Sequence, residues 1–187
     1  AAHHASYYRF LAAGRWTLDA VGGVLVRSLV PHLDQRILAI VDDTLCHKTG
    51  SQIFGTGVHH DGARSGYDRR GHRLTVFGFG HNWVVLALWV PCPWRRQRGF
   101  ALPVLFRLCR QKARCPAALY RKRTDLAAEL IAHLAALLPP DRHLVVVGDS
   151  AYCCRTVLRA LPQRVSFVGP LPMKAALYET RSAQPAT

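Results

Sequence analysis

The chain has 187 residues, enough for one domain with a substantial hydrophobic core. Half of it is hydrophobic and 9% is aromatic, which excludes a disordered chain. Its 25 bases against 11 acids leave a formal charge of +14, which points to a polyanionic partner, nucleic acid above all.

Residues 6–33 read as an amphipathic helical segment. Tyr7, Phe10, Leu11, Leu18, Val21, Leu25 and Leu29 recur at roughly helical spacing, interrupted at Gly14 and at Gly22-Gly23. Ile37-Leu38-Ala39-Ile40-Val41 is a short β-branched run that reads as a buried strand, with Asp42-Asp43-Thr44 at its end. Residues 46–71 are rich in Gly, His and Arg and read as a loop. Two strands follow, Leu74–Phe79 and Trp83–Val90, with Gly80-His81-Asn82 as the tight connection between them. Pro91 and Pro93 close the second. In 95–123 the alternation of Phe100, Leu102, Val104, Phe106 and Leu108 predicts another strand.

Thr124 is placed to cap a helix, with Asp125 in its first turn and Leu126, Leu130, Leu134 and Leu137 as its apolar stripe. Pro139-Pro140 ends it. His143–Val147 is a second buried strand ending in an acid, in Gly148-Asp149-Ser150. A short helix over 152–161 and a strand over 165–168 complete the order β, β, β, α, β, α, β. Three strands in an antiparallel meander followed by parallel additions form the mixed α/β sheet of a ribonuclease H-like fold. The expected division is an N-terminal helical segment over 1–33 and the sheet domain over 34–187.

No apolar run reaches about 18 residues, so no membrane-spanning helix is expected. The chain opens without a signal peptide, so a cytoplasmic setting is the default. The six cysteines lack the spacing of a zinc finger and read as reduced thiols.

The chemistry-bearing candidates are few. Asp42-Asp43 and Asp149 end two buried strands in a chain poor in acids. Carboxylates at adjacent strand ends are suited to hold two hard divalent cations for phosphoryl transfer; the plainer reading makes them turn and helix caps. The stretch 95–123 carries ten bases and no acid: Arg95, Arg96, Arg98, Arg107, Arg110, Lys112, Arg114, Arg121, Lys122 and Arg123. With Lys48 they are the candidate phosphate contacts, neutralising the Arg95, Arg96 and Arg98 cluster being expected to flatten the salt dependence of binding. Arg outnumbers Lys by 21 to 4, a bias that a GC-rich genome also produces. His59, His60 and His81 read as loop or core groups rather than ligands, and Trp83 and Trp89 as strand core.

Ile40-Val41-Asp42-Asp43-Thr44 with His47-Lys48-Thr49-Gly50, and Val146-Val147-Gly148-Asp149-Ser150-Ala151-Tyr152, resemble the first-acid and second-acid motifs of bacterial insertion-sequence transposases of the DDE superfamily, in the subgroup with an Asp-Asp-Thr start. Ser6–Leu11, Val58-His59-His60, Gly80–Val84 and Ala175–Glu179 fit the same family. The resemblance implies a DNA transposase catalytic domain that cuts and joins double-stranded DNA at transposon ends with Mg²⁺ or Mn²⁺. It implies Asp43 as first acid, with Asp42 as the alternative, and Asp149 as second acid, both as metal ligands. It further implies a homodimer on DNA and a bacterial, nucleoid-associated cytoplasmic location. The family's third acid, a downstream Glu, has no match. Glu129 falls between the two Asp motifs and Glu179 in a non-catalytic stretch. A fragment with its C-terminal part missing is therefore expected, unable to cleave DNA alone. The alternative is a non-catalytic basic nucleic-acid-binding domain left from a decayed mobile element.

Overall fold

The computed structural model describes residues 3–50, 52–171, 173 and 175. The Glu179 stretch and the polar tail 181–187 lie outside the described residues, as do the side chains of Leu11 and Arg96.

The N-terminal segment is two helices, α1 (His4–Ala13) and α2 (Leu18–Leu29). Gly14 ends the first, and Thr17 caps the second by accepting the Ala20 N–H at 3.1 Å. Gly22 and Gly23 do not interrupt α2. Gly22 is where the helix backbone lies against Val104 and Leu105, so closely that a Cβ would collide with the Val104 carbonyl.

Strand β1 (Arg36–His47) is twelve residues long and buries every second side chain from Ile37 to Val41. It runs past the expected end at Val41, so Asp42 and Asp43 lie within the strand. The loop after it holds β2 (Gly57–His60), and β3 (Gly66–Tyr67) pairs with β4 (Arg73–Leu74) as a small separate hairpin. The expected turn at Gly80-His81-Asn82 is absent. These residues sit inside β5 (Phe77–Cys92), one continuous sixteen-residue strand, opposite His47, Cys46 and Leu45 of β1. Gly80 serves close approach there, because a Cβ would collide with the Cys46 carbonyl. The chain reverses instead at Pro93-Trp94 into β6 (Arg95–Cys109).

Helix α3 (Arg123–Leu137) starts one residue before Thr124, and the Asp125 carboxylate accepts the Lys122 N–H at 3.3 Å. After β7 (His143–Gly148) the backbone N–H groups of Tyr152 and Cys153 fold onto the Asp149 carbonyl. That turn shortens the next helix to α4 (Arg155–Arg159), and β8 (Val165–Val168) follows.

The sheet runs β2–β5–β1–β7–β8, with β6 beside β2 on the same edge of β5. β1, β5 and β6 are antiparallel, while β7 and β8 are parallel to β1. This is a ribonuclease H-like mixed sheet flanked by helices. Val26 of α2, Leu130 and Leu134 of α3 and Val157 beside them form one core with Ile37, Val41, Val84, Leu86 and Leu105. The other sheet face, with Leu38, Ile40, Trp83 and Val85, is half-buried. Trp83 and Trp89 therefore stand outside the core, because they are out of phase with Val84, Leu86 and Leu88.

One ion-pair network pins this packing. Arg107 on β6 donates to both Asp19 oxygens of α2, at 2.6 and 3.1 Å, and to Glu129 of α3 at 2.8 Å. All six cysteines are free thiols. Among the described residues no helix is long and apolar enough to cross a membrane.

Gly22→Ala separates two effects of opposite sign. Helix propensity alone would stabilise the protein by about 1 kcal/mol. The collision with the β6 backbone costs about 1–3 kcal/mol. The expected outcome is a lower urea midpoint; a higher one would show that α2 does not approach β6 so closely.

Candidate active site

The strand period sets the site. Asp43 continues the row of Ile37, Ala39 and Val41, so its carboxylate faces the helix side of the sheet, and Asp42 faces the other way. The last β1–β7 partners are Val41 and Gly148. Asp42-Asp43 and Asp149 therefore leave two paired central strands at the same level.

Three donors from three elements meet Asp43. Arg123, the first residue of α3, donates from Nη1 to both carboxylate oxygens, at 2.9 and 2.8 Å. Asn82 of β5 donates from Nδ2 at 3.1 Å. The hydroxyl of Tyr152, in the turn after β7, donates at 3.0 Å. Asn82 and Tyr152 are buried. Burial first, then the Asp43 charge and hydrogen bond, push the Tyr152 phenol up, so it stays a protonated donor. Burial works against the Arg123 charge, and Asp43 more than offsets it.

The same turn holds the other acid. Asp149 accepts the N–H groups of Ala151 at 2.9 Å and Tyr152 at 3.3 Å. Tyr152 thus binds Asp149 through its backbone and Asp43 through its hydroxyl. Asp42 accepts the Asp43 N–H at 2.7 Å. Partial desolvation raises the Asp42 carboxyl; the Asp43 N–H opposes this, and the charges of Asp43 and Asp149 add to it.

Beside Asp43 opens a groove of about 460 Å³, lined by Asn82, Arg123, His59, Arg110, Lys112 and Lys122 among others. His59 Nε2 is buried there without a hydrogen-bond partner. Burial, then the Arg123 charge, lower the His59 pKa and keep its ring neutral.

A family model described as DDE superfamily endonuclease matches residues 1–187. The chain belongs to that family. This endonuclease-family chain is also similar to a solved structure, the Drosophila P element transposase strand transfer complex. The likeness has 10% identity and a TM-score of 0.40, over 90% of this chain and 34% of that one. The chain thus spans about a third of that protein's length. No curated protein matches it.

The bases singled out in the sequence are divided by the fold. Arg107 and Arg123 hold acids of the protein itself. Arg110 lies over the Phe54 ring and Arg114 over Phe79. Lys112, Arg121 and Lys122 are exposed near the Asp43 end of the sheet, and Lys48 is exposed just after β1. Arg95 and Arg98 are exposed at the β5–β6 hairpin, eight residues along β5 from the Asp43 level, or roughly 26 Å. Glu129 is engaged by Arg107. Sequence reasoning missed Asn82, which it placed in a turn, and the Tyr152 hydroxyl, whose only signal was its place three residues after Asp149.

The family generally uses divalent metals. Asp42, Asp43 and Asp149 offer the hard oxygens such ions take. Their arrangement does not fit an ion on Asp43, whose two oxygens both face Arg123. Among the described residues no three His, Cys, Asp or Glu side chains gather as a metal-binding group.

Asp42→Asn keeps an acceptor for the Asp43 N–H and removes the charge. A carboxyl that titrates higher folded than unfolded costs stability when ionised, and the cost disappears below its ordinary value of 3.8. The variant is expected to be more stable than the parent at about pH 7 and equal to it at about pH 3. Urea midpoints at both pH values check this; no gain at the higher pH would mean that Asp42 is not held above its ordinary value.

Proposed function

We propose that this domain cuts DNA strands as the nuclease part of a transposase, with Asp43 and Asp149 as its acids and Asp42 as the alternative first acid. The observation that carries the reading is the position of Asp43. It stands on the central strand of an endonuclease-family sheet, beside a groove lined by Arg110, Lys112, Lys122 and Arg123. A phosphodiester backbone is the ligand that such a groove fits: the bases neutralise phosphates and release counterions, beside the strand that carries Asp43. Buried Tyr152 and Asn82 fix the Asp43 carboxylate, so a strand held in the groove meets a pre-positioned acid. Mg²⁺ or Mn²⁺ and a second copy of the chain belong to this proposal through the family resemblance.

One observation favours the second reading, a non-catalytic DNA-binding domain. Asp43 is fully engaged by protein donors.

DNA binding followed across a salt series tests the groove. Changing Arg110, Lys112 and Lys122 together to Ala is expected to reduce the salt slope by about three units, roughly one for each phosphate no longer neutralised. The Arg95 and Arg98 double variant, at the far end of the sheet, reports on the hairpin separately. Plasmid nicking in Mg²⁺ or Mn²⁺ by the protein that carries this domain is expected to be abolished by Asp43→Ala and by Asp149→Ala. Nicking that survives both substitutions removes these acids from the mechanism. Salt-dependent binding with no nicking by the parent supports the non-catalytic reading.

A further inference from the structure

A second groove opens past Asp43 along the same strand. His47 closes the row of β1 side chains to which Asp43 belongs, four residues further on, or roughly 13 Å. The groove beside it, of about 510 Å³, is lined by His47, Lys48, Thr49, Arg64, Phe77 and Phe79 among others. Lys48, Thr49 and Arg64 are exposed. Arg107 and Arg123 are taken up by acids of the protein, but among the described residues neither Lys48 nor Arg64 has such a partner. Phe77 leaves 63% of its surface open to solvent, with the His60 ring edge-on to it at 6.1 Å. One buried acid gathers the walls. His47 Nε2 stands 3.0 Å from Asp61 Oδ2, and the Arg64 backbone N–H donates to Asp61 Oδ1 at 3.1 Å.

We propose that this groove is a subsite for one unpaired nucleotide of a DNA strand. Lys48, Arg64 and the Thr49 hydroxyl take its phosphate, and Phe77 stacks on its base. The subsite rests on the DNA-cutting reading above and names the form of DNA taken at this end of the sheet.

The two kinds of side chain ask for two parts of one ligand. Unpaired cations with a hydroxyl beside them suit a phosphate, which accepts from all three. A solvent-exposed aromatic ring gains most from a flat apolar partner, and every base has such a face. In paired DNA both faces of a base are covered by its neighbours in the stack. Only a nucleotide outside the duplex can offer its face to Phe77 while its phosphate reaches Lys48 and Arg64. Because His47 continues the row of Asp43, a strand held here lies in line with that acid.

The test measures DNA binding by fluorescence anisotropy on the whole protein. It compares a blunt duplex with a duplex that carries a short single-stranded extension, the two matched in number of phosphates. The parent is expected to bind the extended duplex about tenfold tighter, the worth of stacking one base. An extension of abasic nucleotides is expected to lose that preference. Phe77→Leu is expected to lose most of it and to bind blunt duplex as the parent does, while Phe77→Tyr keeps it. Changing Lys48 and Arg64 together to Ala is expected to lower the salt slope on the extended duplex by roughly 0.7, for the one phosphate they share. A parent that binds both duplexes equally overturns the subsite and leaves the DNA reading standing. A preference that survives Phe77→Leu, or that the abasic extension retains, overturns it as well. A parent that binds neither duplex at low salt overturns the DNA reading, and the subsite with it.

Discussion

A carboxylate placed in the buried row of a central strand must be answered by its surroundings, and much of this protein is arranged around that demand at Asp43. The row Ile37, Ala39, Val41 leads inward, and Asp43 takes the next place in it. A charge partly removed from water is stable only when paired and hydrogen-bonded. The answers come from the start of α3, the middle of β5 and the turn after β7. These three pieces are distant in sequence, so their relative positions are tied to one side chain. Asp42, a residue earlier, faces the other way, where the charges of Asp43 and Asp149 act on it. Two neighbouring acids thus occupy opposite electrostatic settings, one rich in cation and one rich in anion, through the two-residue period of a strand.

Arg107 answers the same kind of demand nearby. It reaches from β6 to Asp19 and Glu129, and it stitches two helices onto the sheet with its side chain mostly covered. A chain with a charge of +14 has no shortage of cations for its few acids. The positions of the acids therefore decide which arginines become part of the scaffold. Asp19 and Glu129 claim Arg107, and Asp43 claims Arg123.

The central strands were legible because burial on both faces leaves continuous β-branched runs, as in Ile37–Val41 and His143–Val147, and the acids followed them directly. The meander was misread at Gly80-His81-Asn82. These residues have turn chemistry, but Gly80 is there because β1 passes too close for a side chain. Gly22 misled in the same way within α2. Local sequence reports the freedom of glycine and not the neighbour that requires it. The fate of Arg107 and Arg123 was equally invisible, since their partners lie 88, 22 and 80 residues away. Tyr152 could be found only as part of a motif, because nothing local says that its hydroxyl reaches back to β1.

The basic run 95–123 shows why a contiguous charge in sequence is not a patch in space. Its first arginines lie at the β5–β6 reversal, and its later bases follow Cys109, where β6 has returned beside Asn82. The two groups flank the stretch of β5 from Cys92 to Asn82, which sets them roughly 33 Å apart. The length of β6 thus sorts the bases between the two ends of the sheet. Arg107 and the bases after Cys109 come to the level of Asp43, together with the start of α3. The short turns at 110–122 keep Arg110, Lys112 and Lys122 on one groove, and Arg123 follows them onto the acid itself. The same chain segment that lines the groove with Arg110, Lys112 and Lys122 also supplies the carboxylate's own cation, so the groove and the acid are joined by one stretch of chain.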